Sequence, residues 1–152
     1  MAVNQDTYLD SLAYAYAGMV ANGETSNRPS RTIEDAAGIA FGKAAFRGVG
    51  DHGITGTPAA GVGAFMGITI AHEAIGFLSG QTADVFPQYA NVALMTEGVI
   101  WITAGAAVAD GEQVYVTSAG AFTNVSTSNT ILTGWFFDDT VASGSLARIA
   151  RR

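Results

Sequence analysis

The chain has 152 residues, 49% of them apolar and only 13% charged, with seven basic side chains against thirteen acidic ones and a formal net charge of −6. Phosphate neutralisation takes clustered lysine and arginine, so this balance argues against nucleic acid as a partner; the absence of cysteine excludes disulfides and thiolate metal sites. No apolar run approaches the roughly 20 residues that cross a bilayer, which argues against a membrane partner as well.

A chain of about 150 residues is long enough to bury roughly 70% of its unfolded surface in one core. Its charged share is about half the usual one, so it either exposes much neutral surface or covers surface with a partner. The N-terminus has no basic stretch followed by an apolar core, and the expectation is a protein made and used in the cytoplasm.

Residues 1–32 form an arm in this reading. Tyr8, Leu9, Leu12, Tyr14, Tyr16, Met19 and Val20 supply apolar anchors ahead of the polar, turn-prone stretch 22–31. Positions 8, 9, 12, 16, 19 and 20 fit a helical period and positions 8, 12, 14, 16 and 20 an alternating strand. The arm is therefore a short helix or an extended segment. It packs either on its own domain or on a neighbour, and its aromatic anchors suit an interface.

Residues 33–152 read as one β-domain. Candidate strands lie at 39–41, 44–46, 65–70, 84–86, several within 92–123, then 130–137 and 146–149. Within 92–123 short alternating runs are punctuated by Glu97-Gly98, Asp110-Gly111 and Ser118-Ala119-Gly120, the pattern of antiparallel β-structure. Asp110-Gly111 suits a turn with positive backbone angles. Eight or more short strands at regular spacing indicate a sandwich, jelly roll or barrel, so the fold class is all-β: a jelly-roll or β-barrel-like single domain with an N-terminal arm. Residues 48–63 form a long Gly/Thr/Pro/Ala loop.

Chemistry finds little foothold. Residues 48–53, Gly-Val-Gly-Asp-His-Gly, match GxGxxG, but the sequence that follows does not open the helix that a pyrophosphate site needs. His52, His72 and Glu73 lack the spacing that sets two metal ligands on one face. Glu34-Asp35 and Asp138-Asp139 are adjacent carboxylates, which in a strand point to opposite faces. No enzyme activity, cofactor or metal is expected. Trp101, between two isoleucines, reads as core. In Trp135-Phe136-Phe137 the rings face both sides of a sheet, so at least one leaves a single core.

Beyond residue 33 the chain resembles the structural cement (capsid decoration) proteins of tailed bacteriophages. The resemblance rests on residues 37–44, 65–70, 97–102, 108–116, 120–123, 134–136 and 144–149 taken in order. The lengthened loop at 48–63 departs from it. The resemblance implies a non-catalytic β-protein of the virion that binds the outer surface of the head. Its partners would be the major capsid protein, bridged across neighbouring capsomers, and itself, a dimer being favoured over a trimer. On that reading Tyr8, Leu9, Leu12, Tyr14 and Tyr16 of the arm, with Trp135 and Phe137, make the partner contacts. The competing reading is a carbohydrate-binding β-sandwich module on a phage or cell surface.

Overall fold

A computed structural model describes residues 13–58, 63–72 and 82–152. The described residues form strands and turns without a helix: β1 Ser30–Ile33, β2 Ile39–Ala40, β3 Ala44–Arg47, β4 Gly53–Thr55, β5 Phe65–Thr69, β6 Val85–Phe86, β7 Asn91–Met95, β8 Gly98–Thr103, β9 Gln113–Val116, β10 Phe122–Thr123, β11 Thr130–Phe137 and β12 Leu146–Arg151. The protein is all-β.

Five strands close a barrel in the order β1-β4-β3-β5-β7, and β7 pairs back onto β1. Ile33, Ala45, Ile54, Val92 and Leu94 fill it, with Ile39 and Phe86 from the two-stranded β2–β6 ribbon and Phe41 just after β2. Five more strands form a second sheet, β10-β9-β11-β12-β8. A bridge from Ala104, just past β8, to Phe122 in β10 brings its two edges together. That bridge covers the edges at one point only, and residues 18–21 cover a further stretch of β8. Its core of Ile100, Ile102, Val114, Val116, Leu132, Trp135 and Ile149 also takes in Ala44, Phe46, Ile68 and Met95 from the barrel strands. One wall of the barrel therefore plugs the second sheet, and the two halves share a core.

The arm is extended where it is described. Gly18 N donates to Trp101 O at 2.7 Å, Trp101 N to Met19 O at 2.9 Å and Ala21 N to Val99 O at 2.9 Å, so residues 18–21 pair along the outer edge of β8. Gly18 O in turn accepts from Ala71 N, at the end of β5. The segment is thus fastened to both halves. A side chain at Gly18 would meet Gly42 N at 2.8 Å and Ala71 N at 3.0 Å, which is why this crossing is made by glycine. Tyr8, Leu9 and Leu12 lie outside the described residues.

Three sequence expectations need correction. Trp135 and Phe137 are fully buried in the second core, so neither offers its ring to a partner; Phe136, between them, points outward and is 45% exposed. The cause is a bulge in β11 between Ile131 and Phe136. The Gln113 amide fills it, donating to Val114 O, Leu132 O and Trp135 O at 2.8–3.0 Å. Trp101, expected in the core, is half-buried on the outer face, because Ile100 and Ile102 are the inward positions of β8.

Candidate interaction surface

The outer face of the second sheet follows from strand alternation and register. β12 runs antiparallel to β8 with Arg148 opposite Trp101 and Ala150 opposite Val99, while β11 places Phe136 opposite Ala150. Two rows result on that face, Phe136–Ala150–Val99, in which Val99 and Ala150 are covered and only Phe136 is exposed, and Asp138–Arg148–Trp101. Tyr14 of the arm, 76% exposed, extends the second row by packing edge-on to Trp101, with ring centroids 5.4 Å apart at 69°. The Arg148 guanidinium lies 5.6 Å from the Trp101 centroid. Aromatic edge contacts and guanidinium–indole stacking each contribute about 0.5–1 kcal/mol at such exposed sites, enough to hold these rings in one arrangement.

Arg148 is oriented by Asp139, whose carboxylate accepts from Arg148 Nε at 3.0 Å and from its backbone N at 2.8 Å. Hydrogen bonding from the Arg148 side chain holds the Asp139 carboxyl below the usual carboxylate range, outweighing the opposite effect of partial burial. Nearby, Arg152 donates to Glu24 at 3.0 Å and to Asp138 at 3.3 Å, tying the end of β12 to the polar stretch of the arm. Its hydrogen bond, followed by that of Asn22, lowers the Glu24 carboxyl pKa. A cleft of about 300 Å³ opens beside Phe136, lined by Gly134, Asp138, Ala150 and Arg152. Aromatic rings and arginine next to a shallow cleft are the side chains that dominate protein–protein contacts.

Of the arm positions predicted to bind a partner, Tyr14 stands on this surface and Tyr16 is half exposed. The Asp139–Arg148–Trp101 stack was not legible in the sequence. Asp139 and Arg148 are separated by a turn, and the one available sign was the pairing of an acidic doublet with the arginine-rich end.

The glycine motif at 48–53 is a turn between β3 and β4. Its amides already hold an anion: Val49 N and Gly50 N donate to the Glu34 carboxylate at 2.8 and 2.7 Å. The neighbouring Asp35 carboxylate accepts from Gly56 N at 2.7 Å. The adjacent carboxylates therefore serve as loop fasteners, each at its own turn. His52 sits in the β3–β4 turn and His72 follows β5, while Glu73 lies outside the described residues. Among the described residues, no three His, Asp or Glu side chains are grouped to hold a metal ion.

A family model described as structural cement protein (E217 gp24/Pam3 gp6) matches residues 4–152. The chain belongs to this family. The match includes the arm from residue 4 onward, and with it both rows of the outer sheet face. A chain of the solved structure described as the capsid of Myoviridae phage XM1 has the same fold, with a TM-score of 0.73 at 17% identity over 99% of this chain and 97% of that one. A search of curated proteins found no match. Membership of a phage structural cement family accords with a surface built for contact.

Proposed function

We propose that this protein decorates the outside of a tailed-phage head. There it stabilises the shell by bridging neighbouring capsomers of the major capsid protein. The observation that carries the reading is the family match over residues 4–152. The aromatic and arginine rows of the outer sheet face support it, as does an arm fastened to the body by backbone hydrogen bonds. A clamp across a strained lattice needs a rigid body with contact surfaces, and it needs no tuned acid, base or nucleophile. On this reading the protein is not an enzyme, it acts as a small homo-oligomer, a dimer in preference to a trimer, and it resides on the virion after synthesis in the host cytoplasm. Repetition over the lattice supplies avidity, so single contacts need only be modest.

The test uses heads prepared without the protein. Such heads are expected to have normal geometry but to release DNA at lower temperature or under osmotic shock. Added protein is expected to co-sediment with them, saturate at a fixed copy number and restore resistance. Binding on a glycan array without binding to heads would replace this reading with the carbohydrate one. Removal of residues 2–12 separates the anchors Tyr8, Leu9 and Leu12 from the hydrogen-bonded segment at 18–21. Weakened head binding with an unchanged melting temperature is expected, whereas removal through residue 20 also strips the edge of β8 and lowers stability.

A further inference from the structure

One end of the barrel is built in a way that the fold alone does not require. The turns leaving β3 and entering β7 both rest on two consecutive residues, Ile33 and Glu34. The Glu34 carboxylate pins Val49 N and Gly50 N. The Glu34 carbonyl accepts from Gln88 Nε2 at 2.9 Å, and the Ile33 carbonyl accepts from Tyr89 N at 2.8 Å. These two fixed turns raise, among the described residues, the two most exposed large apolar side chains of the barrel half, Val49 at 92% and Tyr89 at 76%.

Tyr89 also has a backbone φ of +66°. Among the described residues, the other non-glycine positions with positive φ are Asp84 and Ser128, small polar types suited to tight turns. A bulky aromatic in the left-handed region is strained. The free protein recovers little from this ring, which stands in solvent; glycine or asparagine would make the same turn with less strain. A rigidly displayed, strained and exposed tyrosine gains its stabilisation only when another surface covers it.

We infer that this barrel end is a second docking surface, separate from the Tyr14–Trp101–Phe136 face. It inserts Val49 and Tyr89 into a shallow apolar depression with a basic rim on an adjacent capsid protein subunit. The inference rests on the proposed bridging role, which needs two contact surfaces on one body. The chemistry of the rim follows from charge. Residues 34–38, 48–52 and 87–90 carry Glu34, Asp35 and Asp51 and no lysine or arginine, with Arg47 flanking at the end of β3. A second copy of this chain is disfavoured, because a two-fold contact would set this acidic end against itself.

The test compares full-length wild type with Tyr89→Gly, with Tyr89→Gly combined with Val49→Ser, and with Asp51→Lys. Heads purified without the protein serve as the probe. For the free protein, Tyr89→Gly is expected to melt at the same temperature as wild type or higher. In co-sedimentation titrations the double variant is expected to bind at least tenfold more weakly and to lose protection against DNA release; Asp51→Lys is expected to weaken binding several-fold. Binding and protection equal to wild type in the double variant would overturn this inference while leaving the proposed function standing. A clear fall in melting temperature for Tyr89→Gly would overturn it too, by showing that the ring serves the monomer. Loss of a wild-type oligomer in the double variant would move the occupant to a second copy and overturn the capsid assignment. Wild type that binds no heads would instead overturn the proposed function, and this inference with it.

Discussion

The barrel and the second sheet are both five-stranded, yet they are held together differently. The barrel uses short strands around a small apolar filling. Its turns are secured by polar side chains on backbone groups: Glu34 on Val49 and Gly50, Asp35 on Gly56, and the buried Thr69 hydroxyl, which accepts from Lys43 N and donates to Ala40 O. The second sheet has longer strands and a larger core that includes a wall of the barrel. Apolar burial stabilises it, and its outer face is left to carry Tyr14, Trp101, Phe136 and Arg148. The contrast teaches that surface chemistry sits on each half according to its means of support. A well-filled sheet tolerates exposed rings in mid-strand, whereas the barrel presents its exposed groups on pinned turns.

The sharpest way to break this contrast is inside the second core. Trp135→Ala removes the largest fully buried side chain of that core and is expected to cost about 3–5 kcal/mol. Denaturant unfolding should show this as a lowered midpoint. The indole N–H is buried with no partner among the described residues, so Trp135→Phe should cost clearly less, since it removes an unsatisfied donor along with some volume. Equal losses would mean that a phenyl ring does not fill the site any better than alanine.

Glu34→Ala probes the other mode of support. Losing a carboxylate that accepts two backbone amides in a partly exposed site is expected to cost about 1–2 kcal/mol. Hydrogen exchange should accelerate at Val49 and Gly50 while the second sheet keeps its protection. Uniform loosening of both halves would show that they do not differ as described.

Gly111→Val acts within a turn of the sheet half. Gly111 has φ +83°, and a Cβ there would meet nothing within 4 Å, so backbone strain is the main effect, about 1 kcal/mol. An unchanged melting temperature would remove the case for a left-handed residue at this turn.

The smallest effect is electrostatic. Arg148 holds the Asp139 carboxyl below its ordinary value, so its contribution is complete above about pH 4 and is lost as pH falls below that. With the pair partly exposed, the difference between wild type and Asp139→Asn should be about 0.5–1 kcal/mol at pH 6 and should shrink progressively as pH falls below 4. A gap that does not shrink as pH falls would mean that the asparagine changes packing rather than charge.

Local patterns in the chain determined a good deal. Alternation and glycine turns marked the strands at 39–40, 65–69, 91–95, 98–103 and 113–116, because strand parity and tight turns are encoded over a few residues. The order of motifs carried the family resemblance. Two barrel strands carry no such local signal. Ser30–Ile33 lay at the boundary of the arm and Gly53–Thr55 inside a presumed loop; neither has an apolar run of its own. What makes them strands is pairing with one another, Thr32 with Gly53 and Ile33 with Ile54, and with β7 and β3 on their other edges, contacts made largely between segments distant in sequence. Facing was likewise a tertiary decision. Alternation separates Trp101 from Ile100 and Ile102 but does not say which side is inside. In β11 the bulge filled by Gln113 resets the parity, sending Trp135 and Phe137 inward and Phe136 out. Sequence specifies a two-sided ribbon locally; only the packing of other strands against one side decides which residues are core and which remain for a partner.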